Sequence, residues 1–255
     1  MGAIAVFKKE MRSYFASPIA YAVFTLFLVV SGYFFYTILI YLSLISVQAA
    51  MNPGLARGLN VTDGIVRPFF IDLGVVLLFL MPLLTMRVFA EERKQGTLEL
   101  LLTYPLRDGE VLLGKFMAAT TLYALLLSTT ALYVLLLTLW SELELYPILT
   151  GYLGLLLLGM AFLSLGLFFS SLTENQIVAG AFAFGASLLL WIIGWGGTLA
   201  EGDWGALFRH LSIVEHLASF ARGVLEMKDI VYYLGMTSFF LFATLKSLEI
   251  RRWKG

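Results

Sequence analysis

Residues 69–105 read FFIDLGVVLLFLMPLLTMRVFAEERKQGTLELLLTYP, and the change of character at residue 91 decides the fold. Residues 69–90 form an apolar run of the length, about 20 residues, that a helix needs to cross a bilayer. Glu91, Glu92, Arg93 and Lys94 follow at once, and Pro105 closes a charged island before the next apolar run begins. The same alternation of long apolar run and short polar linker extends along the chain in both directions.

Composition agrees. Hydrophobic residues make up 60% of the 255 and charged residues only 13%, too little polar surface to cover a soluble fold of this size. Formal net charge is zero, which gives no electrostatic footprint for nucleic acid. There is no cysteine, so disulfides, thiolate catalysis and Cys-ligated metals are excluded. The first apolar run is too long for the core of a cleavable signal, and Pro18 precedes it.

Six apolar runs are long enough to span a membrane: ~19–45, ~69–90, ~110–139, ~148–170, ~177–197 and ~229–248. Lys8, Lys9, Arg12, Arg87, Arg93, Lys94, Arg107, Lys115, Lys246, Arg251, Arg252 and Lys254 then fall on one side, and Arg57, Arg67, Arg209, Arg222 and Lys228 on the other. The excess of basic residues marks the cytoplasmic side, so both termini are expected there in a multi-pass protein of a prokaryotic cytoplasmic (inner) membrane. The expected fold is a single all-α transmembrane domain over residues 1–255.

Before the first span, Val6, Phe7, Met11, Tyr14 and Phe15 recur at helical spacing opposite Lys8, Lys9 and Arg12. This predicts an interfacial helix within residues 1–18. Asn52-Pro53-Gly54 and Asp63-Gly64 are turn signals in the first outer loop. In the third outer loop, Leu207, Leu211, Val214, Leu217, Ala221 and Val224 form one stripe, which predicts a short re-entrant or interfacial helix, either a lid or a plain connector. Gly194-Trp195-Gly196-Gly197, at the outer end of the fifth span, is expected to break the helix there and to start the outer re-entrant segment. Small residues crowd spans four and five, through either close packing within the chain or a seam with a second subunit.

The island itself predicts a stop and a restart. Arg93 and Lys94 suit the last turn of the second span, and Gly96 suits the left-handed position beyond it. Thr97 can cap a short coupling helix over ~97–105, with Glu99 in its first turn, ended by Pro105. Leu98, Leu101 and Leu102 share its apolar face. So short a helix is unstable alone in water and must lean on a membrane or a partner. Asp108 is expected to cap the third span, and Lys115 to snorkel to the interface. Physical chemistry leaves two readings of the island, a docking element for a soluble partner and a solvated linker.

The run from Glu91 to Leu102, followed by Pro105, resembles the coupling-helix signature of ABC transporter permeases of the type-two export class, in which a charged pair precedes Gly-Thr-Leu-Glu. The N-terminal run Phe7-Lys8-Lys9-Glu10-Met11-Arg12-Ser13-Tyr14-Phe15, with Ser17-Pro18, resembles the opening of the gliding-motility-type permeases of that class. The resemblance implies the permease subunit of an ATP-driven exporter. Its implied partners are a separate ABC-type ATPase subunit that holds ATP and magnesium, a second permease subunit, identical or related, membrane lipids and room for an accessory subunit. It places Glu91, Glu92, Gly96, Thr97, Glu99 and Pro105 in the ATPase-facing element.

No catalytic or metal-binding residue is expected in the chain itself. Gly109–Lys115 has P-loop spacing, but Phe116 stands where Ser or Thr must bind magnesium, and no strand precedes it. His210 and His216 lie six apart, off any common helical face, and are expected at the interface. Four spans lack interior acids and bases, which argues against ion-coupled transport and for an external energy source. The alternative is a non-transport anchor or assembly factor that recruits a cytoplasmic complex through the same island.

Overall fold

In the computed structural model, residues 2–51, 62–97, 107–139, 143–199 and 202–252 are described. Helix α1 (Gly2–Ala16) ends at Ser17, and Pro18 starts α2 (Pro18–Met51), where its fixed φ and missing N–H cost nothing. After a π turn at Thr62–Val66 come α3 (Arg67–Thr85) and the short α4 (Ala90–Lys94). Helices α5 (Asp108–Thr129) and α6 (Ala131–Thr138) follow, then α7 (Leu145–Leu172) and α8 (Gln176–Leu199). Two short helices, α9 (Asp203–Leu211) and α10 (Ile213–Ala221), precede α11 (Met227–Arg252). Among the described residues there is no strand, and six helical stretches are long and apolar enough to cross a membrane: Ala20–Gln48, Gly64–Lys94, Asp108–Thr138, Leu145–Leu172, Gln176–Gly197 and Met227–Ile250. The all-α, six-span architecture read from the apolar runs is the architecture observed.

Helix α7 is the centre, packed against α3, α5, α8, α10 and α11. Its small residues allow this. A methyl group at Gly154 would come within 2.6 Å of Phe220 Cβ, and Gly151, Gly159 and Gly166 are closed off in the same way by Phe70, Tyr123 and Thr85. In α7 these residues therefore serve packing within the chain, where close backbone approach replaces the hydrophobic drive that lipid does not supply. By contrast α2, α8 and α11 show large apolar side chains outward, among them Tyr33, Tyr36, Phe182, Leu189, Phe239 and Phe242.

Three local expectations need correction. The Gly194–Gly197 run closes the fifth candidate span at Gly197 but does not break the helix, because α8 continues through it to Leu199. A membrane helix cannot leave its backbone groups bare, and here the glycines let α9 and α10 approach. A methyl at Gly194 would lie 2.9 Å from Ser212 Cβ and one at Gly197 3.1 Å from Gly205 O, while Arg209 Nη1 donates to Gly197 O at 2.8 Å. The outer stripe is not one helix: Ser212 is extended and breaks the phase, leaving Leu207 and Leu211 exposed but Leu217 and Ala221 buried. The third span starts one residue earlier than a cap at Asp108 would place it. Arg107 occupies the cap position, and its backbone N–H donates to Glu110 Oε2 at 3.2 Å.

Candidate functional site at the base of the second span

The base of the second span is a break held by a neighbouring helix. The ladder of α3 runs out at Thr85, and residues 86–89 form a turn before α4. Ser170 of α7, fully buried, serves the turn with one hydroxyl. Its Oγ accepts from the N–H groups of Phe89 and Ala90, each at 3.1 Å, and donates to Met86 O at 3.1 Å. These would otherwise be orphaned backbone groups in an apolar setting.

Immediately below, four charges from three elements interlock. Lys115 Nζ, from the second turn of α5, lies 2.8 Å from Glu10 Oε1 and 2.9 Å from Glu92 Oε1, and donates to Val88 O at 3.2 Å. Its side chain is 1% exposed, with the Phe89 ring 5.4 Å away. Lys9 Nζ closes the group from outside, 2.8 Å from Glu92 Oε1 and 3.3 Å from Glu10 Oε1. Burial works against the Lys9 charge, but the Glu92 hydrogen bond and charge, helped by Glu10, hold its pKa above the ordinary lysine value. Burial pushes the nearby Tyr14 phenol up, and the Glu10 and Glu92 charges push it further. A buried cation of this kind is tolerable only when fully paired. Lys115 does not snorkel to the interface, because α1 packs over its end of α5. The helices approach closely enough that a methyl at Gly114 would meet Ala3 O at 2.7 Å.

Arg93 makes the second tie to α7. Its guanidinium donates to Ser171 O at 3.2 Å and to Glu174 Oε1 at 2.9 Å. Gly96 stands at φ +69°, the left-handed stop that the sequence predicts, with its N–H on Arg93 O. Thr97 Oγ1 donates to Glu92 O at 3.2 Å.

The structure separates the sequence-predicted site residues into groups. Glu92 and Arg93 are committed inside the chain. Glu91 is half-buried and meets the Gln95 amide at 3.4 Å. On α1, Lys9 joins the charged group, while Lys8 and Arg12 are exposed on the other flank. Leu98, Glu99, Leu101, Leu102 and Pro105, with most of the ~97–105 helix, lie outside the described residues. Sequence reasoning missed Glu10 as a partner. The available signal was Lys115 itself, a cation set deep enough in an apolar run to need a carboxylate. The Gly109–Lys115 spacing occupies the first turns of α5, with its lysine already paired.

A second buried polar group lies at the other end of the fold. His216 on α10 is 4% exposed rather than interfacial, because α10 turns it toward the first turn of α11. Its Nδ1 lies 2.6 Å from Asp229 Oδ1, its Nε2 3.0 Å from His210 O, and its ring stacks on Tyr232 at 4.0 Å. Tyr232 and Tyr233 hydroxyls donate to Leu211 O and Ile213 O, each at 2.8 Å.

Residues 4–253 match the model of the ABC-2 family transporter protein. A segment of 118 residues is 38% identical to the probable ABC transporter permease protein NosY of Pseudomonas aeruginosa, and covers 42% of this chain and 42% of that protein. The chain thus aligns with less than half of that relative's length. Because the family match runs through all six spans and both buried charged groups, the chain belongs to the ABC-2 family of transporter proteins.

Proposed function

We propose that this chain is the permease subunit of an ATP-driven exporter and that the second linker, ~97–105, receives motion from a separate ATPase subunit. The reading rests on one observation. The root of that linker is fastened to three other elements, to α1 through Lys9 and Glu10, to α5 through Lys115, and to the end of α7 through Arg93. A displacement delivered at residues 97–105 then moves α1 and the ends of spans two, three and four as one body. That is the rigid-body type of two-state switch. ATP and magnesium belong to the partner, and a second copy or a related permease completes the pathway on the apolar faces of α2, α8 or α11. Outward transport follows from the resemblance of the Glu91–Pro105 run to export permeases.

The test is co-purification of the full chain with its ATPase in nanodiscs, followed by ATPase assays with and without E91K. Recovery of an ATPase whose rate changes with the variant supports the reading. An ATPase that binds equally well and turns over at the same rate in both supports the anchor role instead.

A further inference from the structure

A chamber of about 550 Å³ lies between α1 and the base of the second span, within the range of about 300–1,000 Å³ typical of small-molecule sites. Its floor is apolar, formed by Ala20, Val23, Leu83, Leu84 and Leu122. Leu83 is also 44% exposed on the outer face of α3, so the floor continues onto a surface that faces hydrocarbon. Its mouth is charged: Lys9, Arg87 and Lys115 stand against Glu10, Glu91 and Glu92.

Two of these groups are left over. Lys9, Lys115, Glu10 and one oxygen of Glu92 satisfy one another. The Arg87 side chain has no hydrogen bond or ion pair among the described residues, and its Nε is buried. The other Glu92 oxygen, Oε2, is likewise buried without a partner there. Among the described residues the Glu91 side chain is held only by the long Gln95 contact. Arg87, Glu91 and Glu92 thus line the same space, in a mouth whose formal charges balance. A simple anion or a simple cation would upset that balance, whereas a zwitterion matches both ends.

We propose that this chamber binds a phospholipid whose headgroup carries a primary ammonium, of the phosphoethanolamine type, with phosphate on the Arg87 guanidinium, ammonium on Glu92 Oε2 and Glu91, and an acyl chain along the Leu83 floor. A guanidinium presents a planar fork suited to phosphate oxygens. A primary ammonium donates three hydrogen bonds and reaches both carboxylates, while a quaternary choline donates none. A headgroup with phosphate but no amine leaves Glu92 Oε2 unmet. The proposal stands apart from the transport reading, since it needs neither ATPase nor turnover.

The test uses the full chain in detergent, with bound lipid counted by native mass spectrometry and thermal unfolding followed in parallel. Phosphatidylethanolamine, its mono-, di- and trimethylated forms and phosphatidylglycerol are offered at equal concentration. Retention is expected to fall along the methylation series by about tenfold or more, and phosphatidylglycerol to bind no better than the trimethylated form. R87Q is expected to lower retention of every lipid in the series by about tenfold or more, and E91Q to flatten the series. Equal retention across the series, a preference for phosphatidylglycerol, or undiminished retention in R87Q overturns the proposal. So does equal thermal protection by soluble phosphoethanolamine, which would make the site one for a free solute. The lipid series on the unaltered protein decides the matter if R87Q fails to fold.

Discussion

Lys115 and Glu92 meet at 2.9 Å although they belong to different spans, separated by the linker at residues 95–107. The contact fixes the spacing of the two span ends from inside, independently of the linker's path.

Removing the lysine should be expensive. K115M leaves Glu10 and Glu92 with only the half-exposed Lys9 to balance them and is expected to cost about 3–5 kcal/mol. The check is thermal or denaturant unfolding in detergent. The triple variant E10Q/E92Q/K115M should recover a large part of the loss, because it no longer buries an uncompensated charge.

The acidic pair should divide by role. Glu92 is spent on Lys9 and Lys115, whereas among the described residues the Glu91 side chain makes only the Gln95 contact. E91K is therefore expected to leave the unfolding midpoint within experimental scatter and to lower ATPase coupling. E92K is expected to lower the midpoint by several degrees as well. Equal midpoints for the two variants would remove Glu92 from its structural role.

S170A deletes the hydroxyl that serves two N–H groups and one carbonyl at the break. The expected cost is about 1–3 kcal/mol, with faster amide exchange at Phe89 and Ala90 than elsewhere in the second span. Uniform exchange along that span would count against the break as a weak point.

D229A strips His216 of its carboxylate partner and should loosen α9 and α10, which α11 holds through that pair and the two tyrosine hydroxyls. A loss of about 1–3 kcal/mol is expected, the range for leaving a buried polar group without its partner. Exchange should rise over residues 203–221 and stay unchanged at the Lys115 group.

Alkali should act on α1. Lys9 has a folded pKa above 10.5, so its contribution is fully present below that value and is lost as the pH rises through the higher folded value. A reporter on α1 is expected to show no change between pH 7 and 9 and a loosening above about 10.5. K9Q should be looser at pH 7 and respond less to alkali.

The apolar runs made the six spans legible, and local stereochemistry made Gly96 legible at its observed φ of +69°. Rules learned from helices in water misled at Gly194–Gly197. In hydrocarbon an unwound segment has no solvent to satisfy it, so glycine there marks an approaching neighbour. Lys115 and His216 misled for a related reason. Each was read against its own helix, while its partners, Glu10 and Asp229, lie far away in sequence or across a turn, where periodicity carries no information. The Ser170 clamp left no trace at all, since a serine among small residues in a span looks like any other packing position.

The Lys9, Glu10, Glu92 and Lys115 group holds two positive and two negative charges in one cluster. The work that a membrane potential does on a moving group scales with its net charge, about 2.3 kcal/mol per elementary charge per 100 mV. For this cluster that sum is zero. If the three helix ends shift along the membrane normal together, voltage does no net work on these four charges, and any response of the shift to membrane potential falls to the flanking charges, Lys8, Arg12, Arg93 and Lys94 among them.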